Sequence, residues 1–274
     1  MYYALSPLFS LRISRGMVVG LQNGTAEFKA GNCSHEIAQG SYRVRLAVSD
    51  AHVEAALRLR FRVFNLELNE GLPSAFETGL DRDQFDPVCE HLIVEHIPSG
   101  AVVGTYRLQS GLKARDNCGY YSEREFCFTP YESIRESMVE LGRACIHRDH
   151  RSKQVLQLLW KGIAQYAVEK GARYLIGCSS LTSQDPAEGT AVYAALRTFL
   201  VEPPLRTVPV REFAMPPVSE TVDPKVPKLL RAYLAIGARI CGPPAIDREF
   251  RTIDFLTLMD LDKIPECVRS RFFR

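Results

Sequence analysis

No C-x-x-C pair occurs among the eight cysteines of this 274-residue chain. Cys33, Cys89, Cys118, Cys127, Cys145, Cys178, Cys241 and Cys267 stand singly, without the spacing of a zinc ribbon or a redox motif. The pairs Cys89-Glu-His91 and His147-Arg-Asp-His150 have no further ligand at metal-site spacing, so no metal is expected. Cys145 and Cys178 sit in apolar runs and read as small core residues; the natural surrounding is a reducing cytoplasm. Excess charge is also missing. With 34 Lys+Arg against 32 Asp+Glu, binding nucleic acid by bulk charge is not expected. No run of 18 apolar residues is present, so no segment reads as spanning a membrane. The N-terminus is apolar before it turns basic at Arg12 and Arg15, the reverse of a secretory signal. There is no internal repeat.

What remains is a globular composition, 46% apolar and 24% charged, long enough for one well-buried domain. Residues 1–42 carry no sustained period and read as a loosely held extension, with the folded domain at 43–274. Arg43 to Ser49 alternates as a strand, with Val44, Leu46 and Val48 on one face. Asp50 is placed to cap a helix over 51–68, with the stripe Leu57, Phe61, Phe64, Leu68. His91–His96 and Ala101–Leu108 form a hairpin around Pro98-Ser-Gly100. Met138–His147 is a third strand, residues 152–170 the clearest helix, and Tyr174–Ser179 a buried strand. A helix over 187–199, a short one over 228–236, a strand over 253–258 and a basic C-terminal helix over 264–273 follow. This order describes a mixed α/β sandwich with a central sheet flanked by helices.

Charges interrupt the apolar segments at a few places. Arg60 and Phe64 share one helix face. Asp83 and Asp86 are separated by two residues in a loop, where a turn role is the alternative. Arg107 sits within the hairpin, and Glu140 and Arg143 lie inside the strand that precedes the long helix. An unpaired charge in a buried strand is costly. Residues i and i+3 of a regular strand face opposite ways, and Gly142 offers the bulge that turns both side chains to one pocket.

Together these residues resemble the acyl-homoserine-lactone synthases and their relatives that make N-acyl amino acids and ornithine lipids, built on the GNAT (acyl-CoA N-acyltransferase) fold. The ordered set is Arg60 with Val63-Phe64, Asp83 with Asp86, Arg107, and Glu140 with Arg143. Phe85-Asp86-Pro-Val-Cys-Glu-His91, Val103-Gly-Thr-Tyr-Arg107-Leu, Leu159-Trp160-Lys-Gly-Ile-Ala and Tyr174-Leu-Ile-Gly-Cys178-Ser-Ser-Leu181 look like the ornithine-lipid acyltransferases, and the similarity runs from about Tyr42 to Phe273. The resemblance implies transfer of a 3-hydroxyacyl chain from acyl carrier protein to the α-amino group of ornithine, giving lyso-ornithine lipid. Other readings are an N-acyl amino acid synthase taking Gly, Lys, Gln or Tyr, an acyl-homoserine-lactone synthase, and a non-catalytic GNAT-like binding module.

GNAT enzymes that use CoA hold its pyrophosphate on a glycine-rich loop opening the helix after the third strand. Here the matching stretch, His150-Arg151-Ser152-Lys153-Gln-Val-Leu-Gln, has no glycine. Arg151, Ser152 and Lys153 suffice for the single phosphate of a 4'-phosphopantetheine arm, so the expected donor is acyl carrier protein, with no separate cofactor. In the expected reaction Glu140 takes the proton of the acceptor amine, with Asp86 and Arg143 as further catalytic residues. Asp83 and Asp86 position the amine or the cationic side chain, and Arg60 and Phe64 contact substrate. Arg107 or Arg143 pairs with the acceptor carboxylate or braces Glu140. The C-terminal Arg269-Ser-Arg271-Phe-Phe-Arg274 mixes arginine with exposed phenylalanine and suits an anionic membrane surface. The expected location is the cytoplasm, with peripheral visits to the inner membrane.

Overall fold

A computed structural model describes residues 36–219 and 222–273. Its nine strands are β1 Ile37–Gln39, β2 Tyr42–Leu46, β3 Glu90–His96, β4 Ala101–Ser110, β5 Met138–Ile146, β6 Tyr174–Leu181, β7 Arg239–Ile240, β8 Ala245–Asp247 and β9 Thr252–Asp260. The helices are α1 Asp50–Arg60, α2 Ala75–Thr78, α3 Gly111–Asp116, α4 Lys153–Glu169, α5 Pro186–Ala195, α6 Lys228–Ala235 and α7 Glu266–Phe272. The strands form one sheet in the order β1-β2-β3-β4-β5-β6-β9-β7, with β8 on β9. The sheet takes in part of the expected extension: β1 pairs with β2, Ile37 opposite Val44, so the domain begins before residue 43. The rest of that extension, residues 1–35, lies outside the described residues.

Alternation along β4 sets the two layers. Tyr106 and Leu108 join the core under α4, with Val44, Leu92, Val155 and Leu159, while Arg107 between them points to the opposite face. α4 forms where its apolar stripe predicts. Ser152 Oγ caps it by accepting the Val155 N–H at 3.3 Å, and Gly171, at φ +62°, takes the left-handed turn beyond its end. α1 covers the other face. Its cap is Ser49 rather than Asp50, with the Ser49 hydroxyl accepting the His52 N–H at 3.3 Å. The strand before it stops at Leu46, which leaves Val48 70% exposed rather than on the buried face. Nor does α1 run regularly to Leu68. Wider, π-type turns span Phe61–Leu68 and close on Asn69 at φ +56°, an irregularity typical of functional regions.

Two distortions open the middle of the sheet. β5 and β6 are parallel and pair over Met138–Glu140 with Tyr174–Ile176, after which they part. On its other side β5 slips against β4, because Thr105 faces Cys145 while Arg107 faces Gly142. The extra residue is accommodated at Arg143, which adopts φ +47°. The expected bulge exists, but its left-handed residue is Arg143 rather than Gly142.

At the C-terminus α7 packs against α4 and joins the core beneath it. Phe272 is 7% exposed and lies 6.1 Å from the Trp160 ring, and Phe273 is packed against the same core. This corrects the reading of exposed phenylalanines: the aromatic half of the expected membrane contact is core, and Arg274 lies outside the described residues. Among the described residues no helix is long and apolar enough to cross a membrane.

Candidate active site

The gap between β5 and β6 opens into a cavity of about 220 Å³ lined by Glu140, Gly142, Arg143, Cys178, Arg107 and Phe64, among others. Glu140 is the last β5 residue paired with β6. Its carboxylate is held by a turn arriving from the segment after α3. The Tyr121 N–H donates to Oε2 at 2.8 Å; the Ser122 N–H and hydroxyl donate to Oε1 at 2.8 and 2.5 Å. Oε1 is thus used twice and Oε2 once, which leaves acceptor capacity on Oε2 toward the cavity. Burial raises the Glu140 pKa above the ordinary glutamate value, against the hydrogen bonds from Ser122 and Tyr121 and the nearby positive charge of Arg107. A fixed carboxylate with a raised pKa is suited to accept a proton.

Under this wall lies a lattice of alternating charges. Arg143 donates from Nε and Nη2 to Asp81. Asp81 Oδ1 also accepts Arg60 Nε at 2.7 Å, and Arg60 Nη1 reaches Asp86 Oδ1 at 2.6 Å. Arg107 Nη1 lies 3.2 Å from Asp86 Oδ1 and 2.6 Å from Asp83 Oδ1. Three arginines and three aspartates therefore neutralise one another, as charges out of water require. Burial opposes ionisation, yet the arginines hold the Asp81 and Asp86 carboxyls below the usual carboxylate range.

The lattice corrects several expected roles. Arg60 is 1% exposed and saturated by Asp81 and Asp86, so it supports the site from beneath instead of touching substrate. Asp83 and Asp86 bind arginines, and Asp86 Oδ2 also accepts the Asp83 N–H at 2.8 Å. Neither lines the cavity, so neither is placed to hold the acceptor, and Asp86 is a positioning residue. Arg143 does not brace Glu140. Its guanidinium lies 4.4 Å from the Phe64 ring and 4.5 Å from the Phe250 ring, with Nη1 facing no partner among the described residues. Phe64 and Arg107 do lie on the cavity wall.

At the start of α4 the expected phosphate cluster is divided. Arg151 is committed through all three nitrogen positions: Nε to the Ile146 carbonyl at 3.1 Å, Nη1 and Nη2 to Glu67 at 2.6 and 2.7 Å. It ties the π-type turns to the end of β5 and is not free for phosphate, which corrects that expectation. The Ser152 hydroxyl accepts as the cap, and Lys153 is exposed.

Cys145 is buried beside Leu59 and Val63, as expected for a core residue. Cys178 instead borders the cavity, where burial and the nearby Glu125 and Asp254 charges push its thiol well above the ordinary range, opposite to what a nucleophile needs. Sequence reasoning missed Asp81, Tyr121 and Ser122. The run Asp81-Arg-Asp83-Gln-Phe-Asp86 carried a signal for the first, whereas Tyr121 and Ser122 lie in a stretch without periodicity. Gly177 was also missed. A Cβ there would collide with the Leu141 carbonyl oxygen, so Gly177→Ala is expected to force the strands apart. The cost should be about 1–3 kcal/mol, read as a lower thermal midpoint together with loss of acyl transfer.

A family model described as an acetyltransferase (GNAT) domain matches residues 59–161, the stretch from α1 into α4 that carries Glu140, Arg143, Arg107 and Phe64 on the cavity wall. The fold and site define an acyltransferase of the GNAT class. An L-ornithine N(alpha)-acyltransferase of Rhodobacter capsulatus is 30% identical over 247 residues, 85% of this chain and 95% of that protein. Its namesake from Brucella abortus is 33% identical over 82% of this chain and 86% of its own length. The chain belongs to the L-ornithine N(alpha)-acyltransferase family. Among solved structures, FeeM, an N-acyl amino acid synthase from uncultured soil microbes, aligns at TM-score 0.49 and 13% identity, over 84% of this chain and 94% of that one.

Proposed function

We propose that the protein transfers a 3-hydroxyacyl chain from acyl carrier protein to the α-amino group of L-ornithine, forming lyso-ornithine lipid. The observation that carries this reading is Glu140, a fixed carboxylate with a raised pKa and acceptor capacity turned to a cavity in the split sheet. An α-amine is largely protonated near neutrality, and Oε2 is placed to hold the ammonium and accept its proton. The neutral nitrogen attacks the thioester carbonyl. The C–N bond forms, the C–S bond breaks, and the thiolate leaves and takes up a proton. Backbone N–H groups beyond Gly142, freed where β5 leaves β6, polarise the carbonyl as an oxyanion site. Arg143 Nη1 receives the acceptor carboxylate.

The donor reading is supported by the missing glycine loop before α4 and by the exposed Lys153, a single cation near a helix N-terminus that suits one phosphate. Purified protein given 3-hydroxyacyl-carrier protein and ornithine is expected to form the N-acyl product, followed by mass spectrometry. The same acyl chain on CoA should react at least about tenfold less efficiently, a difference of about 1.4 kcal/mol. Equal efficiency would overturn the donor assignment.

A further inference from the structure

Beyond Glu140 the cavity reaches a second acidic station. Glu125, Asp247 and Asp254 come from the turn after Ser122, from β8 and from β9, and their carboxylate oxygens lie within 4.8 Å of one another. All three are buried, and among the described residues no lysine or arginine forms an ion pair with any of them; neighbouring Arg124 is turned to Glu249 at 3.4 Å. Some of their oxygens are satisfied. The Glu249 and Phe250 N–H groups donate to Asp247 Oδ1 at 2.8 and 2.9 Å, and the Thr252 hydroxyl donates to Asp254 Oδ2 at 3.1 Å. Glu125 Oε1 and Asp254 Oδ1 are buried with no hydrogen-bond partner; Asp254 is on the cavity wall, with Glu125 and Asp247 behind it.

Tyr121 joins this station to the first. Its backbone N–H holds Glu140, and its hydroxyl donates to Asp247 Oδ2 at 3.4 Å. A contact path also runs from Glu140 through the Ser122 hydroxyl to Cys178 Sγ at 3.7 Å, and on to Glu125 Oε2 at 3.8 Å. Ornithine carries two nitrogens, separated by its α-carbon and three methylenes. One acidic station meets the reacting amine, and the other lies three contacts further on, through Ser122 and Cys178.

We propose that Asp254, on the cavity wall, binds the side-chain ammonium of the acceptor with the negative charge of Glu125 and Asp247 behind it, and that this selects a cationic amino acid over a neutral one of the same length. The assignment rests on the reading of the chain as an ornithine N-acyltransferase. An ammonium has three N–H donors; Asp254 Oδ1 is an unused acceptor at the wall, and Glu125 Oε1 a second one behind it. Burial, and then the neighbouring carboxylates, push Glu125 well above its ordinary pKa, and burial first raises Asp254 to about 6, so the charged forms of this cluster are disfavoured without a cation. A cation removes that conflict and lets the carboxylates ionise.

The test compares ornithine with norvaline, which has the same carbon chain without the terminal ammonium, and lysine with norleucine. Asp254→Asn and Glu125→Gln are examined separately, each checked for folding by circular dichroism. In either variant the kcat/KM ratio of ornithine to norvaline should fall by about tenfold or more, as expected for losing a hydrogen bond to a charged group. An unchanged ratio in a folded variant overturns the proposal, whatever the total activity. So does a thermal stabilisation of the wild-type protein by Mg²⁺, Ca²⁺ or Mn²⁺ that both variants abolish, because the cluster is then a metal site. Wild-type protein that acylates lysine instead of ornithine, with a variant-sensitive ratio of lysine to norleucine, upholds the ammonium site while the ornithine reading fails. Preference for a neutral acceptor overturns both.

Discussion

Glu140→Gln is expected to lower kcat by about 10²- to 10⁴-fold, the range for removing a positioned general base. The substitution keeps the side chain's shape and one carbonyl oxygen. It also sets an amide NH₂ against either the Tyr121 N–H or the paired Ser122 donors, all of which now donate to the carboxylate. Part of the effect could therefore be a displaced turn, and the control is the thermal midpoint with and without bound ornithine. A variant that keeps its fold and turns over near the wild-type rate removes Glu140 from the role of base. The wild-type pH profile gives a second check. Since the Glu140 pKa is raised by burial, activity should rise with pH through an inflection above the ordinary glutamate value of about 4.3. The Gln variant should lose that acid limb.

The second large effect is on stability. Asp81 is fully buried and serves Arg60 and Arg143 together. Asp81→Asn leaves Arg60 with a single anion in a dry environment, and breaking a buried pair in this way costs about 3–5 kcal/mol. At about 2–4 °C per kcal/mol for a chain of this size, the thermal midpoint should fall on the order of 10 °C. Asp83→Asn should cost much less, because Arg107 retains Asp86 and Asp83 lies at the lattice edge. Equal losses for the two variants would mean that the lattice does not act as a chain. The sign with pH follows from the direction of the shifts. Asp81 and Asp86 both have folded pKa values below the unfolded one, so their contribution is complete above about pH 4 and drains away as the pH falls below it.

Much of this could be read from the chain, and the parts that could not share a physical cause. The β3–β4 hairpin, β5, α4 and β6 are long and carry a clear period, so burial imposes itself on the residue pattern. β1, β7 and β8 are two or three residues long, shorter than any period. Nothing in Phe61–Leu68 distinguishes π-type turns from a regular helix, since the stripe Leu57, Phe61, Phe64, Leu68 serves either. Arg60, Asp83, Asp86, Arg107, Glu140 and Arg143 were visible as charges in apolar surroundings. Their pairing was not, because which aspartate meets which arginine depends on how segments up to 62 residues apart are stacked. For the same reason the grouping of Glu125, Asp247 and Asp254 gave no signal, since they come from three separate places in the chain.

The split between β5 and β6 also bears on the order in which the protein can assemble. β1 to β5 pair with chain neighbours, so that half of the sheet can form from nearby contacts. The far side of the cavity cannot. β6 finds its second partner only in β9, where Cys178 pairs with Leu256 and Ser180 with Asp254. A nascent chain that has reached residue 240 already carries Glu140, Arg143 and Ser122, yet it has none of Phe250, Thr252 and Asp254. The residues that close the active site are therefore among the last to be synthesised, after those of the acid–base and arginine machinery.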